Sequence, residues 1–167
     1  RRALQGAALD EALRDLGPNR VVVTTWDLLV RHERLAKAPP SPEHPEGRPW
    51  TTVVMDEAHA MKNASTRRAQ AARNLESDFV LALTGTPVEN RPLELWSLFS
   101  VVAPGLLGSL ASLREGFGRD VEARTPDAAK RLSRLIRPFM LRRTKAEVAP
   151  DLPSKTEVRV DVMLTTD

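Results

Sequence analysis

Two short apolar runs, Thr52-Val53-Val54-Met55 and Phe79-Val80-Leu81-Ala82-Leu83, most constrain how this chain can fold. Apolar runs of this length bounded by turn residues predict buried strands. The first stops at Asp56-Glu57-Ala58-His59, and the second at the hydroxyl-rich turn Thr84-Gly85-Thr86-Pro87. Between them, Ser65 to Leu75 reads as an amphipathic helix, with Thr66, Ala69, Ala72 and Leu75 on one side and arginines elsewhere. Strand, helix and strand with short connections mark a right-handed βαβ unit in a parallel sheet. Ligands of such sheets sit outside the carboxyl ends of the strands, so the two polar exits are expected to line one crevice.

The flanking segments extend the pattern. Ala3 to Leu16 carries leucines and alanines at helical spacing until Gly17-Pro18. A strand is expected over Arg20 to Thr25 and a short helix over Trp26 to Ala36. Five prolines between residues 38 and 49 predict a loop without a regular ladder, a candidate for disorder or an insertion. After residue 91 the character turns helical. Pro92 opens an apolar helix that Pro104-Gly105 ends. Further helices are expected over Ser109 to Phe117 and Pro126 to Ile136, then a basic block from Arg137 to Ala149 and a strand over Thr156 to Leu164. Trp96 and Phe99, three residues apart on an apolar face, read as core packing.

At 167 residues and 41% hydrophobic, the chain can bury one core, so one domain with an appendage is expected. It has no cysteine, which leaves no disulfide framework or thiolate zinc site and suits a reducing cytoplasm. No apolar stretch approaches membrane-spanning length and no signal peptide opens the sequence, so no membrane partner is expected. The net charge of +3 permits nucleic-acid binding without demanding it. Arginine, alanine and proline outweigh lysine and asparagine, which points to a GC-rich bacterial genome, and a cytoplasmic location is expected.

Adjacent carboxylates at a strand exit suit a division of labour in phosphoryl transfer. One holds a metal ion on the phosphates, and its neighbour orients or deprotonates the attacking water. A solvated strand-to-loop turn would carry the same letters. His32 and His44 are remote from His59, and no HExxH spacing exists, so zinc is not expected. Lys130, Arg131 and Arg134 read as a solvated helix face. Small donors at strand exits, Thr24 and Thr25 after the first strand and Lys62 and Asn63 after Asp56-Glu57-Ala58-His59, suit a DNA backbone rather than base readout.

Four ordered blocks carry a resemblance. VVVTTWDLL (21–29), DEAHAMKN (56–63), LTGTPVENRPLELWSLFSVVAPGLLGS (83–109) and RPFMLRRTKAEV with LPSKTE (137–157) together resemble the Swi/Snf-type DNA translocases of helicase superfamily two. Trp26 stands where a tyrosine is more usual. The resemblance implies an α/β fold, part of a RecA-like P-loop NTPase lobe: a parallel sheet flanked by helices over residues 1–104, a helical protrusion and basic segment over 105–149, and a closing strand or linker over 150–167. It implies a motor that hydrolyses ATP with Mg²⁺ to move along double-stranded DNA without regard to sequence. Glu57 and Asp56 would be its catalytic pair, with Asp56 on Mg²⁺ through water. His59 would bond across to the turn of Thr84, Gly85 and Thr86, which with Asn90 would couple nucleotide to movement, and Arg142 and Arg143 would brace the two lobes.

The departure from the family pattern concerns the phosphates. No glycine is followed by lysine, so the loop G-x-x-x-x-G-K-[ST] that cradles them does not occur. The arginine-bearing motifs of a second lobe are missing too. The chain is therefore expected to be a piece of the first lobe, inactive by itself, whose partners include the rest of the same polypeptide. A DEAH-type RNA or DNA helicase fragment, or a non-enzymatic interaction module derived from such a lobe, are the alternatives.

Overall fold

The computed structural model describes residues 7–14, 16, 19–40, 44–85, 92–113, 126–149, 151, 153 and 156–158. The two apolar runs form strands β1 (Val53–Met55) and β2 (Val80–Ala82). They pair in parallel, with Val53 opposite Val80 and Met55 opposite Ala82. The backbone ladder continues past the strands. Val53 N–H donates to the Phe79 carbonyl at 2.9 Å and Leu83 N–H to the Met55 carbonyl at 2.8 Å. Below them, Trp50 N–H donates to Glu76, and the Trp50 indole reaches the Leu35 carbonyl at 2.9 Å. The carboxyl ends thus leave the sheet side by side, as the βαβ pattern requires.

Helix α1 covers Ala7–Arg14 and α2 Trp26–Arg31. The helix expected over Trp26 to Ala36 divides at His32, after which Glu33–Ala36 winds as a 3₁₀ turn. Helix α3 (Arg67–Arg73) begins at Thr66, whose hydroxyl accepts the Ala69 N–H at 3.2 Å and so satisfies one of the orphan donors of the first turn. Helix α4 runs from Pro92 to Val102, and Gly105, at φ 87°, follows in a left-handed turn that glycine adopts without cost. Helix α5 is Leu110–Leu113. The chain divides into two compact units, residues 1–128 and 129–167. Helix α6 (Pro126–Ile136) continues into the second unit, which also contains α7 (Lys145–Val148).

One core holds the first unit together. Met55, Ala58, Met61, Ala69, Ala72, Leu98 and Val101 are buried in it, with Trp26, Val53, Leu75, Val80 and Ala82 packed against them. Ala69 and Ala72 are the residues of α3 buried in that core. The other sheet face stays open: Val54 and Phe79 are 57% and 58% exposed, and Leu81 and Leu83 lie beside them. Of the pair read as core packing, Phe99 is buried. Trp96 is only half-buried, with its indole N–H on the Gly108 carbonyl and the Arg73 guanidinium 5.9 Å from its ring centre.

One expected strand is corrected, and another falls mostly outside the described residues. Residues 20–25 carry no ladder bond, and Val21 and Val23 are 86% and 90% exposed. A valine-rich segment becomes a strand only where a neighbour takes its N–H and C=O groups, and here the sheet consists of β1 and β2 among the described residues. Residues 156–158 form no strand either, and the rest of that expected strand lies outside the described residues. The proline-rich loop is pinned at its base by bonds between Ala38 and Arg48. Gly47 is required there, since a Cβ would meet the Ala38 carbonyl oxygen at 2.7 Å.

In the second unit, Leu132 and Ile136 are the buried side of α6, while Lys130, Arg131 and Arg134 are exposed. Helix α7 has an N-terminal box. The Glu147 carboxylate accepts both the Thr144 N–H at 2.6 Å and the Thr144 hydroxyl at 2.9 Å. Those two bonds, the backbone one foremost, hold the Glu147 carboxyl below the usual glutamate range, and Arg142 adds to them.

Candidate nucleotide site

The exit of β1 is a tight turn built from the acidic pair itself. Asp56 Oδ1 accepts the Glu57 N–H at 2.9 Å. Glu57 then takes φ 49° and ψ 47°, the left-handed region that non-glycine residues seldom occupy. Residues Ala58–Met61 follow as one 3₁₀ turn whose Ala58 and Met61 are fully buried, so the turn is anchored in the core while both carboxylates stay exposed. His59 Nδ1 lies 3.1 Å from Glu57 Oε2, so the histidine engages the acidic pair of its own turn.

The second exit meets the first through backbone. Ala58 N–H donates to the Leu83 carbonyl at 2.8 Å, which places Thr84 and Gly85 directly beside the acidic turn. Thr86 and Asn90 lie outside the described residues. No group of three or more His, Cys, Asp or Glu gathers among the described residues. An exposed carboxylate pair at a strand end is nonetheless a donor set that Mg²⁺ accepts, because that ion keeps several waters and takes one or two carboxylates beside phosphate oxygens.

Of the expected DNA contacts, Lys62 Nζ stands 3.8 Å from Glu94 Oε1 on α4. The Asn63 side-chain oxygen accepts from the Ser65 N–H and hydroxyl, which shapes the turn into α3. The Thr25 hydroxyl caps α2 by accepting the Leu28 N–H at 3.3 Å, and Thr24 is exposed beside it. Arg142 and Arg143 are exposed in the second unit.

Two side chains at the site escaped sequence reasoning. Trp26 donates its indole N–H to the Asp56 carbonyl at 3.1 Å. Ser97, fully buried on α4, donates its hydroxyl to the Met61 carbonyl at 2.5 Å. One grips the beginning of the acidic loop and the other its end. For Trp26 a signal was present, a large donor following two threonines. A serine within an apolar helix is the corresponding signal for Ser97.

Residues 10–167 match the family model of the SNF2-related domain. The chain belongs to the SNF2-related family. Its relatives include the Zorya protein ZorD of Escherichia coli O139:H28, 39% identical over 153 residues and covering 89% of this chain. Another is the putative ATP-dependent helicase/translocase YwqA of Bacillus subtilis, 42% identical over 121 residues and 71% of the chain. The chain spans 13% of the length of either relative. Among solved structures, the Sulfolobus solfataricus SWI2/SNF2 ATPase core in complex with dsDNA superposes with a TM-score of 0.66 at 37% identity, over 78% of this chain and 26% of that one. The SNF2-related chain accordingly has an α/β, RecA-like fold, with its β1–β2 sheet in the expected parallel arrangement. Among its described residues no helix is long and apolar enough to cross a membrane.

Proposed function

We propose that this chain is the water-activating part of an ATP-dependent motor that moves along double-stranded DNA. The observation that carries the reading is the meeting of two strand exits, Asp56-Glu57 on one and Thr84-Gly85 on the other, joined by the Ala58 to Leu83 hydrogen bond. The family match and the DNA-bound neighbour support it. Glu57 orients the attacking water and takes its proton as the new bond to the γ-phosphorus forms and the bond to the ADP oxygen breaks. Mg²⁺, when bound, would neutralise charge on the phosphates, and Asp56 would hold it through water. Thr84 and Gly85, tied to that turn, register the state of the nucleotide. Phosphate-cradling amides and a lysine come from elsewhere in a longer polypeptide, as do the arginines of a second lobe.

The test is steady-state phosphate release, with and without duplex DNA, from the isolated chain and from the longer polypeptide. The isolated chain should show no turnover, because carboxylates alone do not position the phosphates. In the longer polypeptide, Glu57→Gln should lower kcat by about 10²–10⁴-fold while ATP still binds. Asp56→Asn should weaken ATP binding as well. Turnover by the isolated chain at ordinary enzyme rates, abolished by Glu57→Gln, would overturn the need for the other parts.

A further inference from the structure

The peptide unit between Asp56 and Glu57 is held at both of its polar atoms. Its N–H is taken by the Asp56 carboxylate, and its carbonyl accepts the Trp26 indole N–H. The orientation of that unit sets φ of Glu57, which sits at 49°. Trp26 therefore helps hold the backbone conformation from which the Glu57 side chain departs.

Trp26 is also the first residue of α2, and Thr25 is its cap. The Thr25 hydroxyl accepts the Leu28 N–H, and its carbonyl accepts the Leu29 N–H at 3.0 Å, so Thr25 and Trp26 move as one turn. The Trp26 ring packs against the core that holds Met55 and Ala58. Upstream, residues 20–25 have no sheet partner among the described residues, and Thr24 and Thr25 are exposed. Whatever seats on Thr24 and Thr25 can thus be felt at the Asp56 carbonyl through one side chain.

We propose that Trp26 is a positioning residue that couples a duplex DNA backbone on residues 24–25 to the alignment of Asp56 and Glu57. The inference rests on the DNA-motor reading above. It goes beyond that reading in naming the link by which DNA accelerates hydrolysis. A coupling residue alters how strongly one ligand affects the other, and a merely structural one alters both states alike.

The experiment uses the longer polypeptide, with phosphate release measured at saturating ATP with and without saturating duplex DNA, alongside KM for ATP and the thermal midpoint. Trp26→Phe keeps an aromatic ring and removes the donor. Trp26→Tyr returns a donor on a shorter reach. Asp27→Asn releases α2 from Arg68, its ion-pair partner at 2.9 Å, without touching Asp56. Trp26→Phe should lower the ratio of stimulated to unstimulated rate by about tenfold, a size typical of coupling between sites. Trp26→Tyr should recover part of it, and Asp27→Asn should keep the full ratio. The proposal is overturned if the Phe variant keeps the ratio, if both of its rates fall by one factor, or if Asp27→Asn lowers the ratio equally. If the Phe variant does not fold, Trp26→Leu, which also removes the donor, decides, and an unchanged ratio there overturns the proposal. A wild-type polypeptide that DNA does not stimulate would instead sink the motor reading, and this inference with it.

Discussion

Glu57 combines an exposed carboxylate with a backbone that its own side chain disfavours, at φ 49° and ψ 47°. For an L-residue that region costs roughly 1–2 kcal/mol, and glycine escapes the cost while giving back about 0.5–1 kcal/mol in chain entropy. Glu57→Gly in this chain should therefore stabilise it by about 0.5–1 kcal/mol, raising the thermal midpoint by about 1–4 °C. The same substitution removes the group assigned to the water, so stability and activity should move in opposite directions. A midpoint that falls on Glu57→Gly, read by circular dichroism, would mean that the turn gains more from the glutamate side chain than the backbone loses. The acidic pair was legible in the sequence because its position after an apolar run is a local pattern. The partners of Trp26 and Ser97 were not, since their acceptors lie 30 and 36 residues away and no local periodicity encodes such a distance.

Elements were legible where each carried its own start and stop. Helix α4 begins at Pro92 and closes before Pro104-Gly105, as the sequence predicts, whereas α3, expected from Ser65 with Thr66 inside it, starts after Thr66 as its cap. Strands β1 and β2 also follow, because apolar runs with a helix between them have few ways to pack. Residues 20–25 carried the same signal as a strand and pair with no strand among the described residues, since strand formation depends on a neighbour and not on composition alone. The Thr144-x-x-Glu147 box at α7 is a local spacing that the sequence carries within a basic segment. What joins elements was less visible. Helix α4 is tied to the acidic loop by the Ser97 hydroxyl on Met61 and by Glu94 near Lys62. Ser97→Ala should leave the Met61 carbonyl without that donor in a buried site, costing about 1–3 kcal/mol. Ser100→Ala, which removes a bond to the Ser97 carbonyl within the same helix, should cost less. Urea midpoints of the two variants decide this. Equal costs would mean that the link between α4 and the loop contributes nothing beyond local helix bonding.

At the scale of the molecule, the groups suited to DNA phosphates occur in both compact units, Lys62 in one and Arg142 with Arg143 in the other. The net charge is only +3, so no strong general attraction backs them. Lys62 is half-exposed and 3.8 Å from Glu94, a loose pairing that exchanges readily for a phosphate. Asn63 has its side-chain oxygen committed to Ser65, which leaves its amide as the group for such a contact. The chain should therefore bind duplex DNA weakly, near the non-specific range of about 10⁻⁴–10⁻⁶ M at physiological salt, and without sequence preference. Each true phosphate contact contributes about one unit to the slope of log affinity against log salt. Lys62→Ala should lower the slope by about one unit. Arg142→Ala with Arg143→Ala separates two roles: a further loss of about two units marks both as phosphate contacts, whereas an unchanged slope marks them as braces for a second lobe. Fluorescence anisotropy across several salt concentrations reads all of these. Binding that survives high salt and discriminates between sequences would defeat both assignments, because it would require base-edge readout, whereas these groups suit phosphates.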